Sequence, residues 1–149
     1  MPSFGVPDLT RWLQAYRALS LVDGILVATD ELTGEPVATA GSLANSRGGM
    51  FPGAGQLGWV ATVPAHRGRG LATWLCAQAT SRLVDEGFRR VFLCTGDDML
   101  DAIRVYLRLG YVPCIHASDQ AERWSRICEA TGCVFEPDRW PTPAEYMSS

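Results

Sequence analysis

What this chain lacks narrows it first. No stretch reaches the roughly 18 consecutive apolar residues of a membrane-spanning helix, and the opening MPSFGVPDLTRW has no basic run leading into an apolar one. Neither a transmembrane segment nor a signal peptide is therefore expected, and a cytoplasmic location is. Basic charge is scarce: 13 Lys and Arg face 16 Asp and Glu, a formal net charge of −3. A nucleic-acid or anionic-membrane partner needs a basic face, so neither is expected. The five cysteines (Cys76, Cys94, Cys114, Cys128 and Cys133) contain no C-x-x-C pair and are odd in number. A disulfide framework or metal site is thus disfavoured, and buried free thiols in a reducing compartment are the simpler reading. There is no G-x-x-x-x-G-K-[ST] nucleotide loop and no G-x-G-x-x-G, because Thr73 occupies the third glycine's place. Repeats, low-complexity tracts and dividing linkers are also missing, so residues 1–149 read as one domain.

What is present is an ordinary globular composition, 47% hydrophobic and 19% charged. Asp8 can cap a helix carrying Leu9, Leu13, Tyr16 and Leu19 on one face. Residues 24–30 (GILVATD) read as a buried strand, and residues 37–44 as its hairpin partner across the turn ELTGEP. The glycine-rich NSRGGMFPGAG is either a surface connection or part of a substrate entrance. QLGWVATVP is a third strand, stopped by Pro64. A helix over residues 69–86 follows, with Leu71, Leu75, Ala79 and Leu83 four apart and Gly87 as its stop. RRVFLCT reads as a deep strand. The next helix opens at Asp97 and Asp98 and closes at Gly110. YVPCIH is expected as an edge strand because of Pro113. Ser118 is a candidate cap for a last helix, with Glu122 in its first turn and Gly132 at its end. This order predicts a mixed α/β (α+β) sheet, antiparallel early, with a β-α-β crossover over residues 56–95.

The stretch HRGRGLAT lies at the strand-to-helix junction of that crossover. The first N–H groups of a helix have no intrahelical partner and sit at the positive end of its dipole. Gly68 and Gly70 let a ligand approach the backbone, Ala72 keeps the first turn small, and Arg67 and Arg69 add charge. These features suit an anion, most naturally a phosphate or pyrophosphate. The competing reading is a plain βα turn with exposed arginines, His66 being one more solvated loop residue.

The surrounding motifs carry more. Thr62, Pro64, Arg67, Gly68, Gly70 and Ala72 follow the pattern V-x-P-x-x-R-G-x-G-x-[GA], with Thr62 in place of valine. Ala102, Tyr106, Gly110 and Tyr111 follow A-x-x-x-Y-x-x-x-G-[FY]. Over about residues 24–116 the chain resembles the GNAT superfamily of acyl-CoA-dependent N-acyltransferases. The resemblance implies a GNAT-type fold with splayed central strands, acetyl-CoA as cosubstrate, no metal, and acetyl transfer to a primary amine by direct attack in a ternary complex. It places Arg67, Gly68, Arg69, Gly70, Leu71, Ala72 and Thr73 at the pyrophosphate. Val60, Ala61 and Thr62 fall along the pantetheine arm, with the Val60 N–H at the thioester carbonyl. Tyr106 falls where the family carries its general acid.

The base is less defined. Some family members carry a Glu on the third strand, where this chain has Gln56 as its nearest candidate. Asp98, Asp97 and His116 follow strand ends near the expected cleft, yet the aspartates also suit helix capping and His116 a plain loop. Tyr106 could likewise be a packing aromatic. Met99 replaces an asparagine that the family often has. Trp12, Tyr16, Trp124 and Trp140 could line an acceptor pocket or simply pack. The family's first strand is not visible ahead of Asp8 unless PSFGV forms it. The amine, a small molecule or a peptide, is left open, as is a homodimer. A non-catalytic acyl-CoA-binding or regulatory module of the same fold is the main rival, and a nucleotide- or phosphate-ligand enzyme the other.

Overall fold

The structure, a computed structural model, describes Gln14 and residues 17–44, 51–142 and 144–145. Four strands form one sheet in the order β1 (Ser20–Thr29), β2 (Pro36–Ala44), β3 (Gly55–Thr62) and β4 (Val91–Phe92). β1–β2 and β2–β3 are antiparallel, and β3–β4 is parallel. Helix α1 (Leu71–Asp85) provides the crossover from β3 to β4 and lies across β1, β2 and β3. Helices α2 (Leu100–Arg108) and α3 (Gln120–Thr131) follow, α2 against α1 and α3 against α2.

The i, i+4 row read from the sequence explains how α1 seats. Leu75, Ala79 and Leu83 are buried with Cys76, while Leu71 is half-buried at the edge. Burying Leu75 and Leu83 stabilises the fold by about 1.5–3 kcal/mol each. The Ser42 hydroxyl, buried on β2, donates to the Ala79 carbonyl at 2.8 Å and ties helix to sheet. The helix ends as Phe88 N–H reaches back to Leu83 carbonyl across Gly87, whose φ is 95°.

The β2–β3 ladder contains the irregularity that matters most. Its register shifts between Thr39 and Gly41, where Ala61 and Gly58 are the opposing residues. The shift gives β3 an extra residue, a bulge, and Trp59 there takes φ 54°. The Thr39 hydroxyl donates to the Trp59 carbonyl at 2.5 Å, which holds the bulged peptide. A side chain on Gly41 would meet Trp59 Cδ1 at 2.8 Å, so the indole needs glycine opposite it.

Several elements differ from the sequence reading. β1 is not buried: Gly24 is its one buried residue, and Ile25 and Val27 are exposed on a sheet edge. RRVFLCT contributes only Val91–Phe92, since its ladder with β3 stops at Gln56↔Phe92. YVPCIH forms no strand: Pro113 has no N–H to give, and Ile115 N–H bonds to Pro141 carbonyl. Helix α1 starts at Leu71 rather than at residue 69, because Gly70, at φ 78°, is its N-cap. Met99 and Asp119, not Asp97, Asp98 or Ser118, stand at the N-caps of α2 and α3. The cysteine expectation fails in part. Cys128 and Cys133 are disulfide-bonded across the end of α3, Cys94 is exposed, and Cys76 is a buried free thiol. Gly132 takes φ 76° between the bonded pair and turns the chain so that they meet. Asp8, Leu9, Trp12, Leu13, Tyr16, PSFGV and residues 45–50 of the glycine-rich loop lie outside the described residues.

Gly58 tests the packing beside the bulge. A Cβ there would sit 2.5 Å from Leu43 Cδ1, and Leu43 is fully buried. Gly58→Ala should cost about 1–3 kcal/mol of stability in urea unfolding; an unchanged midpoint would mean that the layer yields freely.

Candidate functional site

Three pieces of backbone meet around the start of α1. The first is the turn itself. Val63 leads into a single 3-10 turn, Pro64–His66, and Arg67 leaves it in extended conformation. Gly68 (φ 75°) and Gly70 (φ 78°) then take left-handed conformations that a side chain would strain, and a Cβ at either would point into open space. Arg67 N–H bonds to Pro64 carbonyl, and Trp74 N–H makes the first helical bond, to Gly70 carbonyl. Between them, the six N–H groups of residues 68–73 find no acceptor among the described residues. No acidic side chain occupies the first turn of α1, so none from the helix itself offsets its positive end.

The second piece is the outer edge of β3. Val63 N–H donates to Val37 carbonyl, so the two-residue alternation turns Ala61 toward β2 and Thr62 away from it, as far as the bulge at Trp59. On that far side β4 pairs only with Gly55 and Gln56. Beyond them, among the described residues, no strand pairs with β3 on this side, and the ladder with β4 ends at Phe92. Arg67 Nε donates to Thr62 carbonyl at 3.4 Å, as expected for a carbonyl facing away from β2.

The third piece is Tyr106 on α2. It is 8% exposed, in one cluster with Leu75, Cys76 and Ala79, against which Val60, Leu71 and Leu93 also pack. Burial, with the neighbouring Cys76 and Tyr111, pushes its phenol up to about 12. Tyr106 is therefore protonated across the neutral range and can donate a proton but not take one. Tyr111 stands edge-on to it, its hydroxyl 2.7 Å from Thr80 Oγ1. The Tyr106 hydroxyl has no hydrogen-bond partner among the described residues.

The candidate bases fare unequally. Asp97 is bound at both oxygens by Arg123, each contact 2.7 Å, which holds its carboxyl below the ordinary range. A carboxylate so engaged is a weak base. Asp98 is exposed in the turn before α2, its Oδ1 next to Gly96. His116 is exposed, its ring 3.4 Å from Cys114 carbonyl. Gln56 is buried at the last position of β3 that pairs with β4. Trp124 and Trp140 stack edge-on against each other.

His66 is not the solvated residue expected. Its Nε2 lies 3.1 Å from Asp30 Oδ2, while Asp30 Oδ1 accepts from the N–H groups of Leu32 and Thr33. The residue just ahead of Arg67 is thus fastened to the β1–β2 turn. A pair 36 residues apart leaves no mark in local sequence. Among the described residues no helix is long and apolar enough to cross a membrane, and no group of three or more His, Cys, Asp and Glu could hold a metal.

The model of the acetyltransferase (GNAT) family matches residues 1–111. No curated protein matches the sequence. Among solved structures, a Trypanosoma brucei acetyltransferase shares 24% identity at a TM-score of 0.51, covering 69% of this chain and 70% of its own. A Clostridium acetobutylicum protein solved with acetyl-CoA shares 18% at a TM-score of 0.55, covering 76% and 73%. The glucosamine-6-phosphate N-acetyltransferase of Arabidopsis thaliana shares 20% at a TM-score of 0.51, covering 69% of each. At these identities the likeness is one of fold.

The His66–Asp30 contact gives a titration test. The hydrogen bond from His66, then those from Leu32 and Thr33, hold the Asp30 carboxyl below the ordinary carboxylate range. A depressed folded value means that the pair's contribution is present above the unfolded value and fades as pH falls through the folded one. His66→Ala should therefore raise the Asp30 pKa in an NMR titration and speed amide exchange in residues 67–70. An unmoved Asp30 would show that the contact does not form in solution.

Proposed function

We propose that the turn, the strand edge and Tyr106 together serve acetyl transfer from acetyl-CoA to a primary amine, because the chain belongs to the acetyltransferase (GNAT) family. The observation that carries this reading is the run of six free N–H groups at residues 68–73, aligned with the start of α1. Such a run is an anion site by construction. The backbone of Gly68, Arg69, Gly70, Leu71, Ala72 and Thr73 holds the pyrophosphate of acetyl-CoA, and Arg67 and Arg69 add charge from the rim. Val60 and Thr62 offer the pantetheine arm their backbone groups beside Ala61, and the Val60 N–H stabilises the oxyanion as the carbonyl is attacked. Tyr106, neutral and desolvated, gives its proton to the sulfur as the C–S bond breaks. A small molecule or a peptide can supply the amine.

A non-catalytic coenzyme A-binding module of the same fold has one observation in its favour: β3 carries Gln56 in place of a carboxylate, and Asp97 is held by Arg123, which leaves the exposed Asp98 as the candidate base. Water-relayed deprotonation answers it if the amine arrives unprotonated.

Two variants separate these readings. Gly70→Asp adds strain at φ 78° and a negative charge beside the free N–H groups. It should weaken coenzyme A binding at least tenfold in calorimetry, and unaltered affinity would remove the turn from the site. Tyr106→Phe should lower kcat by 10²–10⁴-fold, the usual worth of a general acid, with little change in acetyl-CoA affinity. An equal rate would take Tyr106 out of the mechanism. Coenzyme A binding without turnover over a panel of amines would favour the module.

A further inference from the structure

We propose that the cavity beside Tyr106 is the acceptor pocket, and that it selects a single primary amine carried on an apolar body. The inference rests on the acetyl-transfer reading above and adds the substrate class to it.

A cavity of about 700 Å³ opens between the Phe92–Thr95 stretch of the chain, α2, α3 and the segment of residues 111–116. That is within the usual size range of small-molecule sites. Its wall is mainly apolar, with Phe92, Val112, Trp124 and Ile127 prominent, and Tyr106 forms part of it. Leu93, Cys94 and Thr95, which run on from β4 past the end of its ladder with β3, line it as well. The cavity therefore adjoins the proposed proton donor, against whose packing cluster Val60 also lies.

Two polar side chains in the wall want partners. Gln120, at the start of α3, is 7% exposed, and Tyr106 is 8% exposed. Neither the Gln120 amide nor the Tyr106 hydroxyl has a hydrogen-bond partner among the described residues, yet neither is sealed off as a fully buried orphan. Buried polar groups without partners are costly, so a ligand that supplies them is favoured there. Both groups are neutral, and each suits an uncharged amine.

Charge decides what body the amine can carry. Among the described residues, Arg89, Arg90 and Arg123 line the cavity, against one carboxylate, Asp97, which Arg123 already holds at both oxygens. A polyammonium acceptor would find no free carboxylate and several cations. A heavily hydroxylated one would set part of its polar surface against the apolar residues that make up most of the wall. A lone amine on an aromatic or aliphatic body avoids both penalties, and desolvation favours its neutral form. An amine that sheds its extra proton to solvent on entry needs no carboxylate base on β3, which accounts for Gln56 there. The neutral nitrogen attacks the thioester carbon, the C–N bond forms and the C–S bond breaks. The nitrogen gives one proton to water, the sulfur takes the Tyr106 proton, and solvent reprotonates Tyr106. The products are the N-acetylamine and the free thiol.

The test uses the full chain, which contains no lysine and so offers no ε-amine of its own to acetyl-CoA. Calorimetry would first establish coenzyme A binding, then titrate 2-phenylethylamine and kanamycin into the coenzyme A-loaded protein. The expected result is saturable binding of 2-phenylethylamine and at least tenfold weaker binding of kanamycin. Gln120→Leu should weaken the aromatic amine roughly fivefold by removing one hydrogen bond. Val112→Trp, at a position 58% exposed and so tolerant of bulk, should weaken it tenfold or more, with coenzyme A affinity unchanged in both variants. Preference for kanamycin, no binding of the aromatic amine, or indifference to both substitutions would overturn the pocket and leave the acetyl-transfer reading standing. Failure of coenzyme A itself to bind would overturn both.

Discussion

A backbone N–H with no acceptor inside the protein must take one from outside, from water or from a ligand. That constraint governs this chain wherever β3 gives way to α1. Among the described residues, β2 pairs with one edge of β3 along most of its length, and β4 pairs with the other at Gly55 and Gln56 alone. The turn after β3 then presents six further donors in sequence. The Trp59 bulge, Gly70 at the head of α1 and the His66–Asp30 contact shape or fasten these open groups.

The chemistry around this opening is unequal on its two sides. The donor side is well provided: Tyr106 is raised to about 12 and stays a proton source. The accepting side is poor, because burial at Gln56 is burial of an amide, and Asp97 already has its cation. An apolar cavity resolves this imbalance physically, since it strips the charge from an ammonium instead of removing its proton with a base.

Much of this was legible in the sequence, and for identifiable reasons. Period-four apolar spacing marked Leu75, Ala79 and Leu83 as the seat of α1, and Pro64 with Gly68 and Gly70 marked the turn. The two motifs around Arg67 and Tyr106 pointed to the family. Pairing over long range was not legible. The apolar run RRVFLCT gives no hint that its ladder stops after Phe92, and YVPCIH lacks a strand to bond with. Ile25 and Val27 read as buried because β-branched, apolar residues cannot reveal that their strand lies at an edge. Cys128 and Cys133 were misread because pairing across a helix end depends on the turn at Gly132. Gln120 carried no signal, as its meaning comes only from the cavity it faces.

The central claim is that the open backbone at residues 68–73 is the coenzyme A phosphate site. Amide chemical shifts of the 15N-labelled protein measure it directly. Coenzyme A should move the resonances of residues 68–73 together, and ATP and NAD at equal concentration should leave them in place. Shifts elsewhere with this stretch silent, or equal shifts with all three ligands, would contradict the account.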